Sequence, residues 1–136
     1  MGRILAIDFG KKRVGIAVTD PMQMIATALT TVDNSKALDY ILEYVKANGV
    51  EKIIIGYPTD LRGKPTHATP YVDKFIIAIS KKLPEMEIIK WDESFTSKMA
   101  VRTLIDSGVK KMARRNKALI DSVAATIILQ EYLQNI

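Results

Sequence analysis

The sequence contains no cysteine and a single histidine, His67, among its 136 residues. The absence of cysteine excludes disulfide bonds, thiolate zinc sites and a cysteine nucleophile. One histidine cannot build a multi-histidine zinc centre, so hydrolytic chemistry would have to use carboxylates, hydroxyl groups and hard cations. No hydrophobic run approaches the ~18 residues of a transmembrane helix, and the N-terminal apolar stretch is too short for a signal peptide. We therefore expect a cytoplasmic protein with no membrane partner.

The composition is typical of one globular domain. Hydrophobic residues make up 48% of the chain and charged residues 26%, which is ordinary for a soluble protein with a buried core. The length lies within the usual range of a single domain. Because we find no internal repeat and no linker, we expect one domain over residues 1–136.

The positive charge is concentrated in one segment. The chain carries a net charge of +5, and residues 110–117 (KKMARRNK) contain five basic residues and no acidic one. Such a block attracts polyanions, although a solvated basic loop is the alternative interpretation. A second basic group lies at residues 11–13. We expect both groups to contact nucleic acid, through Lys110, Lys111, Arg114, Arg115 and Lys117 and through Lys11, Lys12 and Arg13.

Hydrophobic patterning predicts five strands and four helices. The strands are predicted at 3–9, 13–19, 25–32, 52–56 and 87–91, and the helices at 35–47, 70–83, 94–108 and 115–134. The first three strands follow one another as hairpins, with an N-cap signal at 33–35. The later strands alternate with helices, which is typical of parallel connections. This order predicts an α/β fold with a mixed sheet flanked by helices.

Carboxylates stand where strands end. Asp8 follows the first strand, Asp92 and Glu93 follow the fifth, and Asp121 lies in a very apolar helical segment. If the first and fifth strands were parallel neighbours, Asp8 and the pair 92–93 would meet at one edge of the sheet. The last helix would bring Asp121 to the same place.

Grouped carboxylates repel one another unless a cation lies between them, and oxygen ligands of this kind suit Mg²⁺ or Mn²⁺. Two such ions can activate a water and stabilise the leaving oxygen of a phosphodiester. Each acid also has a structural alternative. Asp8 would begin a turn, Asp92 or Glu93 would cap the next helix, and Asp121 would pair with a basic residue of its own helix.

Four segments carry a resemblance to a known family. They read IDFGKKRVGIAVTD at 7–20, IIIGYPTDLRG at 53–63, WDESFTS at 91–97 and KALIDSVAATIILQEYL at 117–133. In this order along nearly the whole chain they resemble the YqgF/RuvX family of the ribonuclease H-like superfamily. The resemblance implies a three-layer α/β/α fold whose five-stranded mixed sheet joins a three-stranded antiparallel meander to parallel strands.

The resemblance also implies a function. It indicates a metal-dependent nuclease, a hydrolase of phosphodiester bonds that processes the 5′ end of precursor 16S rRNA in ribosome biogenesis. The family's acidic triad corresponds here to Asp8, Glu93 and Asp121, as catalytic residues and as ligands of Mg²⁺ or Mn²⁺. The residues alone do not separate Glu93 from Asp92. Gly10 is expected to let the backbone approach the substrate beside Asp8.

The sequence is also compatible with three other functions. A Holliday junction resolvase acting on DNA would need a symmetric homodimer to cut two strands, whereas a nuclease of ribosome precursors would work as a monomer. A non-catalytic nucleic-acid-binding module would keep the basic segment but would not require Asp121. An actin-like kinase or ATPase is disfavoured by the length and by the lack of a P-loop. RNA is the favoured substrate, with Tyr57 and Trp91 as candidates for base stacking, although Trp91 is expected in the core.

Overall fold

The computed structural model describes residues 2–57, 69–92 and 117–134. The described ranges contain β1 (Arg3–Asp8), β2 (Arg13–Thr19), β3 (Ala26–Asp33), α1 (Asn34–Ala47), β4 (Val50–Tyr57), α2 (Thr69–Lys82), β5 (Glu87–Asp92) and α3 (Lys117–Gln134). The predicted strands and helices are confirmed in these ranges to within a few residues. The helix predicted at 94–108 lies outside the described residues. None of the helices in the described ranges is long and apolar enough to cross a membrane.

The sheet has the strand order β3-β2-β1-β4-β5. β1 and β2 pair antiparallel, as do β2 and β3, while β4 runs parallel to both β1 and β5. The predicted meander joined to parallel strands is therefore confirmed. β1 and β5 run in the same direction but are not neighbours, because β4 lies between them. The arrangement on which the meeting of Asp8 with residues 92–93 was conditioned is therefore not observed. The run Ile53–Ile55 in β4 is fully buried, and such a run is stable only in the interior of a sheet.

β1 is covered on both faces of the sheet. Its residues Ile4, Leu5, Ala6 and Ile7 are all fully buried. Because side chains alternate along a strand, Leu5 and Ile7 pack towards α1 and α2. Ile4 and Ala6 pack towards α3 on the other face. The result is a three-layer α/β/α arrangement with β1 near its centre.

The helices on each side of the sheet bury apolar residues that lie on one helical face. On one face, α1 and α2 bury residues three to four positions apart: Ala37, Ile41, Val72, Phe75 and Ile79. On the other face, α3 buries a denser apolar set: Ala125, Ile128, Leu129 and Tyr132. Two polar contacts also attach α3 to the sheet, since Lys52 Nζ donates to Tyr132 Oη at 3.3 Å and Trp91 Nε1 donates to Glu131 at 3.2 Å.

The N-terminus of α1 is not capped by the side chain of its N-cap residue. Asp33 occupies the N-cap position but its side chain makes no capping hydrogen bond. Instead, Asn34 connects the helix to the tip of the β1–β2 hairpin. Its side-chain amide donates to the Gly10 carbonyl oxygen at 2.7 Å, and its backbone N–H donates to the Lys12 carbonyl oxygen at 2.9 Å. The first turn of α1 thus holds the hairpin tip in place.

A polar cluster attaches α2 to the carboxyl ends of β4 and β5. Tyr57 Oη donates to the Asp73 carboxylate at 2.9 Å. Lys90 Nζ lies 3.8 Å from the same carboxylate and 4.7 Å from the centroid of the Tyr57 ring. Desolvation by burial raises the pKa of the Tyr57 phenol, and the hydrogen bond to Asp73 raises this pKa further. Tyr57 therefore remains a neutral donor at physiological pH.

The turn at Gly10 leaves no room for a side chain. A Cβ atom at this position would collide with the backbone carbonyl oxygen of Arg13. We expect Gly10→Ala to lower the free energy of unfolding by about 1–3 kcal/mol, because the hairpin backbone must shift. Urea unfolding followed by circular dichroism measures the change.

Gly49→Ala is the matched control. A Cβ atom at Gly49 would meet nothing within 4 Å. This substitution should raise the free energy of unfolding by about 0.4–1 kcal/mol, because alanine restricts the unfolded chain. Equal destabilisation by both substitutions would contradict the steric explanation for Gly10.

The hydroxyl of Tyr57 should contribute measurably to stability. We expect Tyr57→Phe to lower the free energy of unfolding by about 0.5–1.5 kcal/mol through loss of the hydrogen bond to Asp73. Folding raises this pKa above the ordinary 10.0. The difference in free energy of unfolding between the wild type and Tyr57→Phe is therefore fully present below pH 10. It should disappear as the pH rises through the raised pKa. Urea unfolding of the wild type and of Tyr57→Phe across an alkaline pH series measures this pH dependence. A stability difference that grows at high pH would refute the prediction.

Candidate active site

Asp8 is a buried carboxylate at the carboxyl end of β1. It is the last residue of the strand, and only 5% of its surface is exposed. Alternation along β1 places it on the same face as Ile4 and Ala6, which is the face covered by α3. Burial of a carboxylate costs free energy that an apolar residue at this position would avoid. Its presence there favours a chemical role over a packing role.

Glycines flank Asp8 on both neighbouring strands. Gly15 of β2 pairs directly with Asp8. On β4, Ile55 is the partner of Ile7, so the next residue, Gly56, lies beside the end of β1. Neither β2 nor β4 therefore places a side chain next to the carboxylate on the α3 face.

α3 approaches this edge with its N-terminal half. Its C-terminal residues lie at the opposite edge, where Leu133 and Gln134 line the same hollow as Met24 and Ile25. Tyr132 contacts Lys52 near the start of β4. Asp121 precedes Tyr132 by about 16 Å along the axis of α3. Gly56 follows Lys52 by about 13 Å along β4. The N-terminal half of α3, which contains Asp121, therefore lies towards the same edge of the sheet as Asp8.

The structure gives only part of the predicted triad of Asp8, Glu93 and Asp121. It places the side chain of Asp8, and for Asp121 it places the backbone within α3. Glu93, which follows the last residue of β5, lies outside the described residues. Across ranges 2–57, 69–92 and 117–134, the described side chains include no group of three acidic or histidine residues placed to hold a metal ion. The meeting of the three acids therefore stays a prediction.

The basic hairpin tip lies at the same edge as Asp8. Lys11 and Lys12 are exposed, and Arg13 is half-buried at the start of β2. Lys11 Nζ lies 4.7 Å from the centroid of the Tyr71 ring on α2. Of the predicted basic segment 110–117, Lys117 is the first residue of α3. The other basic residues of this segment lie outside the described residues: Lys110, Lys111, Arg114 and Arg115.

The two aromatic residues proposed for base stacking have structural partners. Trp91 packs edge-on against Tyr132, with ring centroids 5.8 Å apart, in agreement with its expected place in the core. Tyr57 is covered by Lys90 and bonded to Asp73. Sequence reasoning also missed the contact of Asn34 with Gly10. These residues are 24 positions apart, and no local pattern signals their hydrogen bond.

The fold is similar to that of a protein solved in complex with a Holliday junction. The structure of T. thermophilus RuvC in complex with a Holliday junction substrate matches with a TM-score of 0.58 and covers 99% of this chain and 95% of that one. The two sequences are 12% identical. This likeness supports the ribonuclease H-like architecture that the sequence motifs implied.

Sequence comparison gives much closer relatives. The chain is 49% identical over 133 residues to a Flavobacterium psychrophilum protein named "Putative pre-16S rRNA nuclease", with 98% of this chain and 97% of the relative covered. It is 48% identical over 134 residues to a Bacteroides fragilis protein of the same name, with 98% and 97% covered. A family model described as "RuvX: Holliday junction resolvase" matches residues 2–135. The chain therefore belongs to the RuvX family.

Proposed function

We propose that this protein is a metal-dependent nuclease that cleaves precursor 16S rRNA in the bacterial cytoplasm. The observation that carries the proposal is the buried Asp8 carboxylate at the end of the central strand, flanked by glycines and next to a basic hairpin tip. Nuclease names among relatives at 48–49% identity support the activity and the RNA substrate. A single domain over residues 1–136 is part of the proposal, because all the described elements pack on one sheet.

The donor groups suit a hard divalent cation. Asp8 supplies a carboxylate from β1, and we propose that Glu93, directly after β5, and Asp121 of α3 complete the set. Three carboxylates with no cysteine or histidine among them fit Mg²⁺ or Mn²⁺. When bound, such ions activate a water molecule and stabilise the leaving oxygen of a phosphodiester.

The protein itself would bind and orient the substrate. Lys11, Lys12 and Arg13 at the hairpin tip would contact phosphates next to the scissile bond. The basic segment 110–117 would follow the backbone further along. Contacts of this kind carry little sequence information. The target would therefore be chosen through the shape or single-stranded character of the RNA.

Junction resolution in DNA is the second candidate function. It is supported by the description of the family, which names Holliday junction resolvases. That reaction requires paired, symmetric cuts and hence two copies of the chain. A binding module without catalysis is a weaker candidate, because it gives no reason to bury a carboxylate at the end of β1.

Asp8→Asn should abolish cleavage and leave binding intact. The substitution keeps the size of the side chain but removes the charge that a cation requires. We expect a loss of at least about 100-fold in rate on precursor 16S rRNA with Mg²⁺ or Mn²⁺, within the range seen when one electrostatic group of an active site is removed. A gel-based cleavage assay measures the rate, and retention by filter binding checks the affinity.

Asp33→Asn is the matched control for this experiment. Asp33 is an exposed acid at the end of β3, on the same edge of the sheet, and its loss should leave cleavage unchanged. A four-way DNA junction tested in parallel separates the two candidate reactions, since a resolvase would make paired symmetric cuts. If Asp8→Asn cleaves as fast as the wild type, the proposed site is wrong.

Removal of the metal should change stability as well as activity. We expect chelation to stop cleavage and Mn²⁺ to raise the melting temperature of the wild type, because a ligand that binds the folded state stabilises it. Asp8→Asn should show a much smaller rise. Thermal unfolding with and without Mn²⁺ measures the effect, and an equal rise in both proteins would place the ion elsewhere.

A further inference from the structure

A groove of about 430 Å³ lies between the hairpin tip and α2. The rings of Phe9 and Phe75, with centroids 5.0 Å apart, contribute its apolar part. Lys11 lines it from the hairpin, and Tyr71 and Lys74 line it from α2. Small-ligand sites typically enclose about 300–1,000 Å³ with an apolar lining and a few placed polar groups. The groove has a volume in this range, is open to solvent on one side, and has a mostly apolar lining with a few polar groups.

Tyr71 is an aromatic residue that the fold leaves accessible. Its exposed fraction is 49%, while the inward face of α2 is supplied by Val72, Phe75 and Ile79. Lys11 Nζ lies 4.7 Å from the centroid of its ring. Lys74 follows three residues later and is therefore on the same face of the helix. The fold thus presents an aromatic ring together with two ammonium groups.

The charge of the groove suits an anionic ligand. Its lining contains two lysines and no acidic residue. The nearest acid in sequence on α2, Asp73, is instead engaged by Tyr57 and Lys90. An aromatic ring beside two cations is one combination that suits a nucleotide, because the ring can stack on the base while the cations neutralise the phosphate.

The groove and Asp8 lie on opposite faces of the end of β1. Phe9 directly follows Asp8, so their Cα atoms are about 3.8 Å apart. Asp8 belongs to the α3 face, whereas Phe9 packs with the core of the α2 face. A strand of nucleic acid that crosses the edge of the sheet at Asp8 would therefore enter the groove next.

We propose that this groove binds one nucleotide of a single-stranded segment of the substrate, adjacent to the scissile phosphate. The base stacks on Tyr71 in place of the Lys11 ammonium, which moves off the ring. Lys11 and Lys74 then contact the phosphate. The inference rests on the proposed nuclease function and adds a subsite that positions the strand. Because the faces of a paired base are covered by its neighbours in a helix, the groove selects for single strands.

Binding of a labelled ten-nucleotide oligoribonucleotide to the full chain tests the role of Tyr71. Fluorescence anisotropy in EDTA measures the affinity without cleavage. Tyr71→Ala should weaken binding about 5- to 150-fold, which corresponds to the loss of one stacked base. Tyr71→Phe keeps the ring and should bind like the wild type. Neither substitution should weaken binding of a blunt RNA duplex of the same sequence.

Salt dependence tests the role of Lys74. Lys74→Ala should reduce the slope of log affinity against log salt concentration by about 0.7, as expected for the loss of one phosphate contact on a single strand. Lys81→Ala is the matched control, because it removes an exposed lysine of the same helix about 10 Å further along its axis. Its slope should equal that of the wild type.

The inference is overturned if Tyr71→Ala binds the oligoribonucleotide as tightly as the wild type, or if the wild type does not bind it. It is also overturned if the duplex loses as much affinity as the single strand, or if Lys74→Ala and Lys81→Ala change the slope equally. Cleavage by the wild type and its loss in Asp8→Asn test the nuclease function independently. The subsite can therefore fail while the proposed function stands.

Discussion

The burial of β1 on both faces of the sheet is the constraint on which the site depends. Each fully buried Ile or Leu contributes about 1.5–3 kcal/mol relative to its exposed state, and a shift of one residue would turn every side chain of β1 to the wrong face. Pairing with β2 on one side and β4 on the other fixes the register further. The position of Asp8 at the end of the strand is therefore determined by packing that lies outside the site.

The two faces of the sheet carry different groups at the end of β1. The face towards α3 carries the carboxylate and is flanked by Gly15 and Gly56, and this is where the proposed function places a cation and the scissile phosphate. The face towards α2 carries the aromatic and basic residues of the groove, and this is where we propose that the strand is held. Alternation along one strand produces this division, because consecutive residues point to opposite faces.

The hairpin tip is held to the helical layer by contacts that are distant in sequence. Asn34 at the start of α1 bonds to the carbonyl oxygens of Gly10 and Lys12, and Lys11 lies over Tyr71 of α2. These contacts place the basic residues of the tip over the same edge as Asp8. Gly10 is required there for a steric reason, which accounts for that residue independently of any approach to substrate.

The strands and helices of the described ranges, the α/β class and the family could all be predicted from the sequence. These follow from local periodicity and from motifs such as the one around Asp8. Three features became visible only in the folded chain: β4 separates β1 from β5, Asn34 bonds to Gly10, and one groove is lined by Phe9, Lys11, Tyr71 and Lys74. Sequence periodicity could not predict them, because it reports only which face of its own strand or helix a residue occupies. Which strands and helices become neighbours depends on the packing of the whole core.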